Sequence, residues 1–382
     1  MAAALVTLEK SAKGGMQKFF KYVPAVVLCY LIAMLLCTLG VWDMAETKPA
    51  YSALKNNLTY AMIFAMLLRC NIRKVLKLGP KMLIGFFSAT LTIMIGFVCV
   101  FVLKKGSIGS DVWMGLCALC GSWIGGSGNM VAMQDALPVD PGAYACALTL
   151  NTVCYSVWIA LLIFMVRYSS KWDKSVKADT SKLSAIADVA NEEVEKEKKA
   201  KATSGDWVWM IGLALIVSAL SQWGGAKMGA GFAGMGLKMF DKGTCTTLFV
   251  TVLGLACAMT PLGKLPAANE LSSVLLYAVV ALLATQAPLN ALIEAPMWVV
   301  YGVFILVLHV VGMYILSKLF HWDLCMVSTA SVANIGGPAS APIIAVAYNP
   351  NYAGIGVLMG IFGQAIGNFF GLGMGWLLNL MA

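Results

Sequence analysis

Apolar residues occur along this chain in runs of about twenty, separated by short polar turns. That spacing predicts membrane-spanning helices, since about 20 residues rising 1.5 Å each cross the hydrocarbon core of a bilayer. The runs fall near 23–42, 52–70, 81–103, 111–133, 143–167, 207–224, 244–262, 272–292, 296–318, 322–347 and 353–380, eleven in all. Two of them are interrupted. Ile124-Gly125-Gly126-Ser127-Gly128-Asn129 breaks the fourth run, and Ile335-Gly336-Gly337-Pro338-Ala339-Ser340 breaks the tenth. Lipid tolerates non-helical backbone only where protein or a water-filled cavity satisfies the freed polar groups. Two such breaks at corresponding places in two halves point to the binding site of a secondary transporter.

The halves can be overlaid. Leu58-Thr59-Tyr60-Ala61-Met62-Ile63 resembles Leu275-Leu276-Tyr277-Ala278-Val279-Val280, and Pro80 and Pro296 each open the next run. The glycine breaks follow, then Asp140-Pro141 and Asn349-Pro350, then Tyr144 and Tyr352, then a last apolar run in each half. The shared order makes an internal repeat. Three regions result: 1–167 as the first repeat with its N-terminal segment, 168–206 as a hydrophilic cytoplasmic linker, and 207–382 as the second repeat. The linker reads as solvated and without chemistry of its own, with a charged surface helix from Lys182 to Lys201.

Charge decides how the repeats are oriented. Arg69, Arg73, Lys74, Lys77 and Lys81 crowd the turn after the Tyr60 run and place it in the cytoplasm, whereas the turn before Pro296 contains Glu294 and no base. That asymmetry favours an inverted repeat, which needs an odd number of crossings between the Tyr60 and Tyr277 runs. The plain count is six. Treating the glycine-broken runs as re-entrant hairpins makes it five, and this reading is preferred. The rival keeps both as crossings and looks for a miscounted element between 207 and 262, at the Gly-rich stretch from Gly224 to Gly236.

Composition agrees with a polytopic all-α membrane protein. Hydrophobic residues make up 60% and charged residues 12% of the 382, with a mean hydropathy of +0.82, too little polar surface for a soluble domain. The first run follows Lys10, Lys13, Lys18 and Lys21 and lacks a small-residue cleavage site before Asp43, so it reads as a retained span of the cell (inner or plasma) membrane. The net charge of +9 comes from bases at the ends of runs or in the linker, with no basic face interleaved with aromatics, and nucleic acid is not an expected partner. The cysteines at 29, 37, 99, 146, 154 and 257 sit inside apolar runs as small hydrophobes, and Cys117 and Cys120 lack a second ligand pair.

Leu67-Leu68-Arg69-Cys70-Asn71-Ile72-Arg73 and Pro261-Leu262-Gly263-Lys264-Leu265-Pro266, with both glycine breaks, resemble the membrane family called "domain of unknown function 819", the YjcL-like proteins. The similarity covers nearly the whole chain. That family is similar to the large superfamily of cation:proton antiporters and anion:sodium symporters. The resemblance implies a scaffold, a mobile core domain carrying two broken elements, elevator-like movement and a homodimer. It supplies no substrate.

The residues at the breaks suit a sodium-coupled symporter of a small polar or anionic solute. Carbonyls and short polar side chains at an unwound tip replace a cation's hydration shell, and half-helix N-termini hold an anionic group. The candidates are Ser122, Gly125, Gly126, Ser127, Asn129 and Asn151 in the first half, and Asn334, Gly336, Gly337, Ser340, Gln364 and Asn368 in the second. A sodium site is sought among Asn129, Asn334 and Gln364, with sodium as the only cofactor-like species. Surrounding lipid and a second copy are the other expected partners. Asp135, Asp140 and Asp323 can each reach an interface, which argues against a proton antiporter. His309 reads as a satisfied interhelical donor. Gly125-Gly126-Ser127-Gly128 matches the G-x-S-G of rhomboid-like proteases, but the second half has Pro338 where the first has Ser127, so an enzyme is not expected. A channel is a further alternative, though no filter loop or charge ring is present.

Overall fold

A computed structural model describes residues 1–104, 112–180, 183–195, 202–235, 237 and 240–381. All of the described secondary structure is helical. Fourteen helices carry the argument: α1 (Ala25–Thr38), α2 (Met44–Leu67), α3 (Gly79–Lys104), α4 (Val112–Gly125), α5 (Ser127–Ala136), α6 (Pro141–Met165), α7 (Leu183–Glu195), α8 (Ser204–Gly234), α9 (Lys242–Ala258), α10 (Ala268–Ala284), α11 (Ala295–Phe320), α12 (Leu324–Ile335), α13 (Gly337–Tyr348) and α14 (Ala353–Met381). Each apolar run lies on one of these helices or, for the two glycine-broken runs, on a pair of them. Among the described residues five helical stretches are long and apolar enough to cross a membrane, and six shorter apolar helices accompany them. The protein is an integral multi-pass membrane protein.

Helix starts follow the capping chemistry of the sequence. Asp43 accepts from the amides of Ala45 and Glu46 and so begins α2 eight residues before the apolar run at 52. Asp140 caps α6 ahead of Pro141, Thr203 and Asp206 form a reciprocal capping box on α8, and Asp241 and Asp323 cap α9 and α12. The Gly-rich stretch through Gly234 continues α8 as one helix of 31 residues and forms no separate element. Close approach to α9 explains Gly224, Gly225 and Gly229, where a Cβ at Gly229 would lie 2.8 Å from the Lys242 amide nitrogen.

Helix α2 packs antiparallel to α10, and α3 antiparallel to α11. Arg69, just past the end of α2, bonds Asn269 at the start of α10, while Trp42, just before α2, donates to the Thr285 carbonyl just past α10. Along α3 and α11, Thr92 meets His309 at 2.7 Å, and Gly96, one turn later, lies against Ile305, one turn earlier. The linker departs from expectation. Its helix α7 buries Leu183, Ala187, Ala190 and Glu193, Asn191 receives the Gly354 amide at 2.9 Å at the start of α14, and Lys77 pairs with Glu193 at 2.8 Å. Alanines at i and i+3 let α7 lie close on α14, so this part of the linker is a docked strap. Lys182 and the residues from 196 to 201 lie outside the described residues.

Both glycine-broken runs fold back on themselves. Gly121 and Met133 are twelve positions apart, about 18 Å in a continuous helix, yet a Cβ at Gly121 would sit 2.7 Å from Met133 Cγ. In the second run Ser328 Oγ and Tyr348 OH are 2.9 Å apart across twenty positions. Thus α4 with α5, and α12 with α13, are hairpins of half-helices. They flank α14, whose apolar window is 72% buried against 22–50% for the other four long helices. Along α14 the order of contacts is informative. Gly356 faces Ala341 and Gly360 faces Pro338; Gly363 faces Ile124 and Ala333; Gly367 faces Gly125 and Gly371 faces Gly121. The hairpins therefore approach α14 from opposite ends and their tips meet near its middle.

Candidate functional site

The tips are made by glycine backbone that other residues adopt only under strain. Gly126 has φ +88° and ψ 179°, and Gly337 has φ +64°. A Cβ at Gly337 would stand 3.9 Å from Gly126 Cα, so the two turns face each other. Neither α5 nor α13 has a side-chain cap, unlike the helices that begin at Asp43, Asp140 or Asp241. Two half-helix N-termini are left without side-chain caps for their first-turn amides, of which α13 has one fewer because Pro338 carries no N–H.

A cavity of about 510 Å³ opens beside the tips. One wall is Gly126, Ser127, Gly128, Gly336, Pro338 and Ala339 from the hairpins, with Gln364 of α14. The facing wall comes from α2, through Met62, Met66 and Arg69, and from α10, through Asn269, Ser272, Ser273 and Leu276. A second cavity of about 220 Å³ touches the same tips and is lined by Ser122, Ser127, Asn151, Tyr155 and Ser340, with the start of α1 beyond.

The candidate residues divide between these places. Gly126, Ser127, Gly336 and Gln364 line the larger cavity. Ser122, Asn151 and Ser340 line the smaller one, where Asn151 Oδ1 accepts from Trp123 Nε1 at 3.0 Å and Ser122 Oγ at 3.4 Å, and Ser340 pairs with Tyr155. Gly125, Asn129, Asn334, Gly337 and Asn368 line neither. Gly125 instead lets the Asn129 amide fold against the tip, and Gly337 supplies the turn.

The three residues considered for sodium do not come together as a set. Asn334 Oδ1 accepts from Thr90 Oγ1 at 2.7 Å, and its amide donates to the carbonyls of Ala330 at 2.9 Å and Phe86 at 3.4 Å. Its hydrogen-bonding capacity is used in joining α12 to α3. Asn129 behaves otherwise. Its Nδ2 donates to the Gln364 backbone carbonyl at 3.2 Å, while Oδ1, fully buried, has no donor among the described residues. Asn368, one turn after Gln364, shows the same asymmetry. Thr251 Oγ1 donates to the Thr247 carbonyl and therefore accepts from Asn368 Nδ2 at 2.9 Å, which leaves Asn368 Oδ1 without a donor. In both residues the acceptor opposite Nδ2 fixes the amide orientation. A buried amide oxygen without a donor costs about 1–3 kcal/mol, and a cation is one way to relieve it.

Two expectations about ionisable groups need correction. Asp135 and Asp323 do not reach an open interface: their side chains are 7% and 1% exposed. Lys55 contacts Asp135 at 2.5 Å and Lys81 stands 3.9 Å from Asp323, so folding shields each carboxylate beside a base from another helix. Asp140 is exposed, as expected. His309 is satisfied on both nitrogens: Nδ1 donates to Thr92 Oγ1, whose own hydrogen goes to the Ser88 or Ala89 carbonyl, and Nε2 accepts from Ser331 Oγ at 2.8 Å. Trp158 Nε1 in turn donates to Ser331 Oγ.

Sequence reasoning missed the wall opposite the tips. In the sequence Arg69 is one of five bases that set topology. Asn269, Ser272, Ser273 and Leu276 follow the spacing i, i+3, i+4, i+7 and share one face of α10, while Met62 and Met66, four apart, share a face of α2 that Arg69 extends from the turn after it. The polar stripe on α10 was the available signal.

The family described as "Protein of unknown function (DUF819)" matches residues 1–381. The chain is similar to the "Uncharacterized membrane protein YjcL" of Bacillus subtilis (strain 168), with 24% identity over 384 residues that cover 94% of this chain and 92% of that protein.

Proposed function

The chain belongs to the DUF819 family, and on that premise we infer that it is a secondary active transporter that couples a small polar or anionic organic solute to sodium by alternating access. The observation that carries this reading is the pair of hairpins that approach α14 from opposite ends and meet, uncapped, beside a cavity of about 510 Å³. Membrane proteins keep irregular backbone at depth where it lines such a space. The antiparallel packing of α2 with α10 and of α3 with α11 supports the inverted repeat, and hairpins that double back support re-entrant elements entering from the two membrane faces.

The cavity lies between two groups of helices. The hairpins and α14 form one group, the mobile core; α2 and α10 form the facing scaffold. Displacement of the core along the scaffold would carry the tips and their solute from one face to the other, an elevator-like step. The unpartnered oxygens of Asn129 and Asn368 favour a cation within the core, beside the tip. A homodimer built on the scaffold is part of the same proposal.

Proton antiport is the second reading, favoured by the buried Asp323, whose Oδ2 stands 3.9 Å from Lys81 and accepts no hydrogen bond among the described residues. Its position weighs against it: Asp323 caps the start of α12, about 18 Å of helix from the tip at Gly336. A protease is disfavoured because His309 is held by Thr92 and Ser331, and His321 by the Val176 carbonyl. The test is thermal unfolding of the purified protein in sodium chloride and in choline chloride, followed by solute uptake into proteoliposomes under sodium and proton gradients. Stabilisation specific to sodium and uptake driven by its gradient are expected. Uptake driven by protons and indifferent to sodium would refute the coupling.

A further inference from the structure

The bases of the turn after α2 are placed very differently. Lys77 pairs with Glu193, and Lys81 reaches the Asp179 carbonyl at 2.6 Å and Asp323 at 3.9 Å. Arg69 instead lines the larger cavity, where no other lining residue among those described carries a formal charge. Its Nη1 donates to Asn269 Oδ1, which sets the plane of the guanidinium from across the scaffold. A guanidinium has five N–H donors in a fixed fork, so the contact with Asn269 leaves donors for an oxyanion in the cavity. The free first-turn amides of Ser127 and Gly128 on the opposite wall contribute potential of the same sign.

The remaining wall limits what the anion carries. Ser272 and Ser273 direct their hydroxyl hydrogens to the Asn269 carbonyl at 2.8 and 2.9 Å, so toward a solute they act as acceptors. Met62, Met66, Leu276, Val357 and Ile361 supply apolar surface for a short carbon skeleton. Arg69 is the single formal charge that the described lining residues bring to the cavity, and it pairs with one negative charge on the solute. We propose that Arg69 is the anion anchor of this cavity, and that its ligand is a small organic monocarboxylate bearing a further hydrogen-bond donor such as a hydroxyl. As a statement about substrate, this rests on the transport reading. The binding step is measurable without it.

The experiment uses the full chain in detergent and follows thermal unfolding with a panel of short monocarboxylates and 2-hydroxy monocarboxylates, each beside its carboxamide, and with dicarboxylates and inorganic phosphate. At least one monocarboxylate should raise the melting temperature while its carboxamide does not. Arg69→Gln should weaken that binding at least tenfold, and Arg69→Lys should keep part of it, because charge survives while the bidentate fork is lost. Ligand-free melting of both variants reports folding. The proposal is overturned if no monocarboxylate stabilises the wild type, if carboxamides or phosphate act as well, or if Arg69→Gln binds normally. Proteoliposomes separate the two levels. A monocarboxylate that binds through Arg69 but never crosses under any gradient refutes transport and leaves the anchor; sodium-driven uptake of a neutral solute, unchanged in Arg69→Gln, refutes the anchor and leaves transport.

Discussion

Gly363 is the position where α14 touches both hairpins at once, and Gly363→Ala is the perturbation whose size follows most directly from geometry. The added Cβ would lie 2.5 Å from the Ile124 carbonyl oxygen and 2.9 Å from the Ala333 carbonyl oxygen. Ordinary contact with carbon begins near 3.5 Å, so α14 would have to move roughly 1 Å away from two backbones at once. Neither partner is a flexible side chain. Overpacking of this kind costs about 1–3 kcal/mol, a few degrees of apparent melting temperature for a chain of this size. Gly373→Ala is the matched control, because a Cβ there meets nothing within 4 Å and alanine gains about 0.5–1 kcal/mol of helix stability over glycine. Thermal unfolding in detergent, read by tryptophan fluorescence, compares the two. Gly363→Ala should melt lower than wild type and Gly373→Ala should not. Equal melting of the two variants would show that the hairpins are not seated on α14 as described.

The two asparagines of the broken segments should separate by function. Asn334→Ala should destabilise by about 1–3 kcal/mol with or without sodium, because it removes the partner of Thr90; Asn129→Ala should chiefly abolish the sodium-dependent rise in melting temperature. Gly126→Leu should fold less stably by about 1–3 kcal/mol, from the strain at φ +88°, and its side chain should fill open cavity and block solute binding. Binding retained in Gly126→Leu, measured by solute-induced thermal shift, would remove the tip from the site.

Much of the fold was legible in the sequence because lipid imposes it. Runs of about twenty apolar residues and the two glycine breaks mark helices and half-helices, and the backbone leaves helical geometry at Gly126 and Gly337. What stayed hidden depends on which face of a helix meets which neighbour. Asn334 and Asn129 are the same residue type near the two breaks, yet the packing of α3 supplies Thr90 to the first, while among the described residues no donor reaches the oxygen of the second. Asp135 and Asp323 sit near run ends, where sequence alone suggests water, but Lys55 and Lys81 fold over them. The linker resembles solvated chain because its charges outnumber the small or apolar residues that dock it, Leu183, Ile186, Ala187, Ala190 and Val194 among them. Arg69 obeys the positive-inside rule, and that pattern accounts for it in the sequence without any hint of its place on the cavity wall.

Alternating exposure of the hairpin tips is the central claim, and Ala339 tests it most directly because it lines both cavities and is itself exposed. Ala339→Cys would be placed in a background lacking the eleven native free cysteines, reconstituted, and exposed to a membrane-impermeant thiol reagent from each face of sealed vesicles. The account predicts labelling from both faces, with sodium and solute changing the share seen from each. Labelling from a single face under every condition, or from neither, would contradict it.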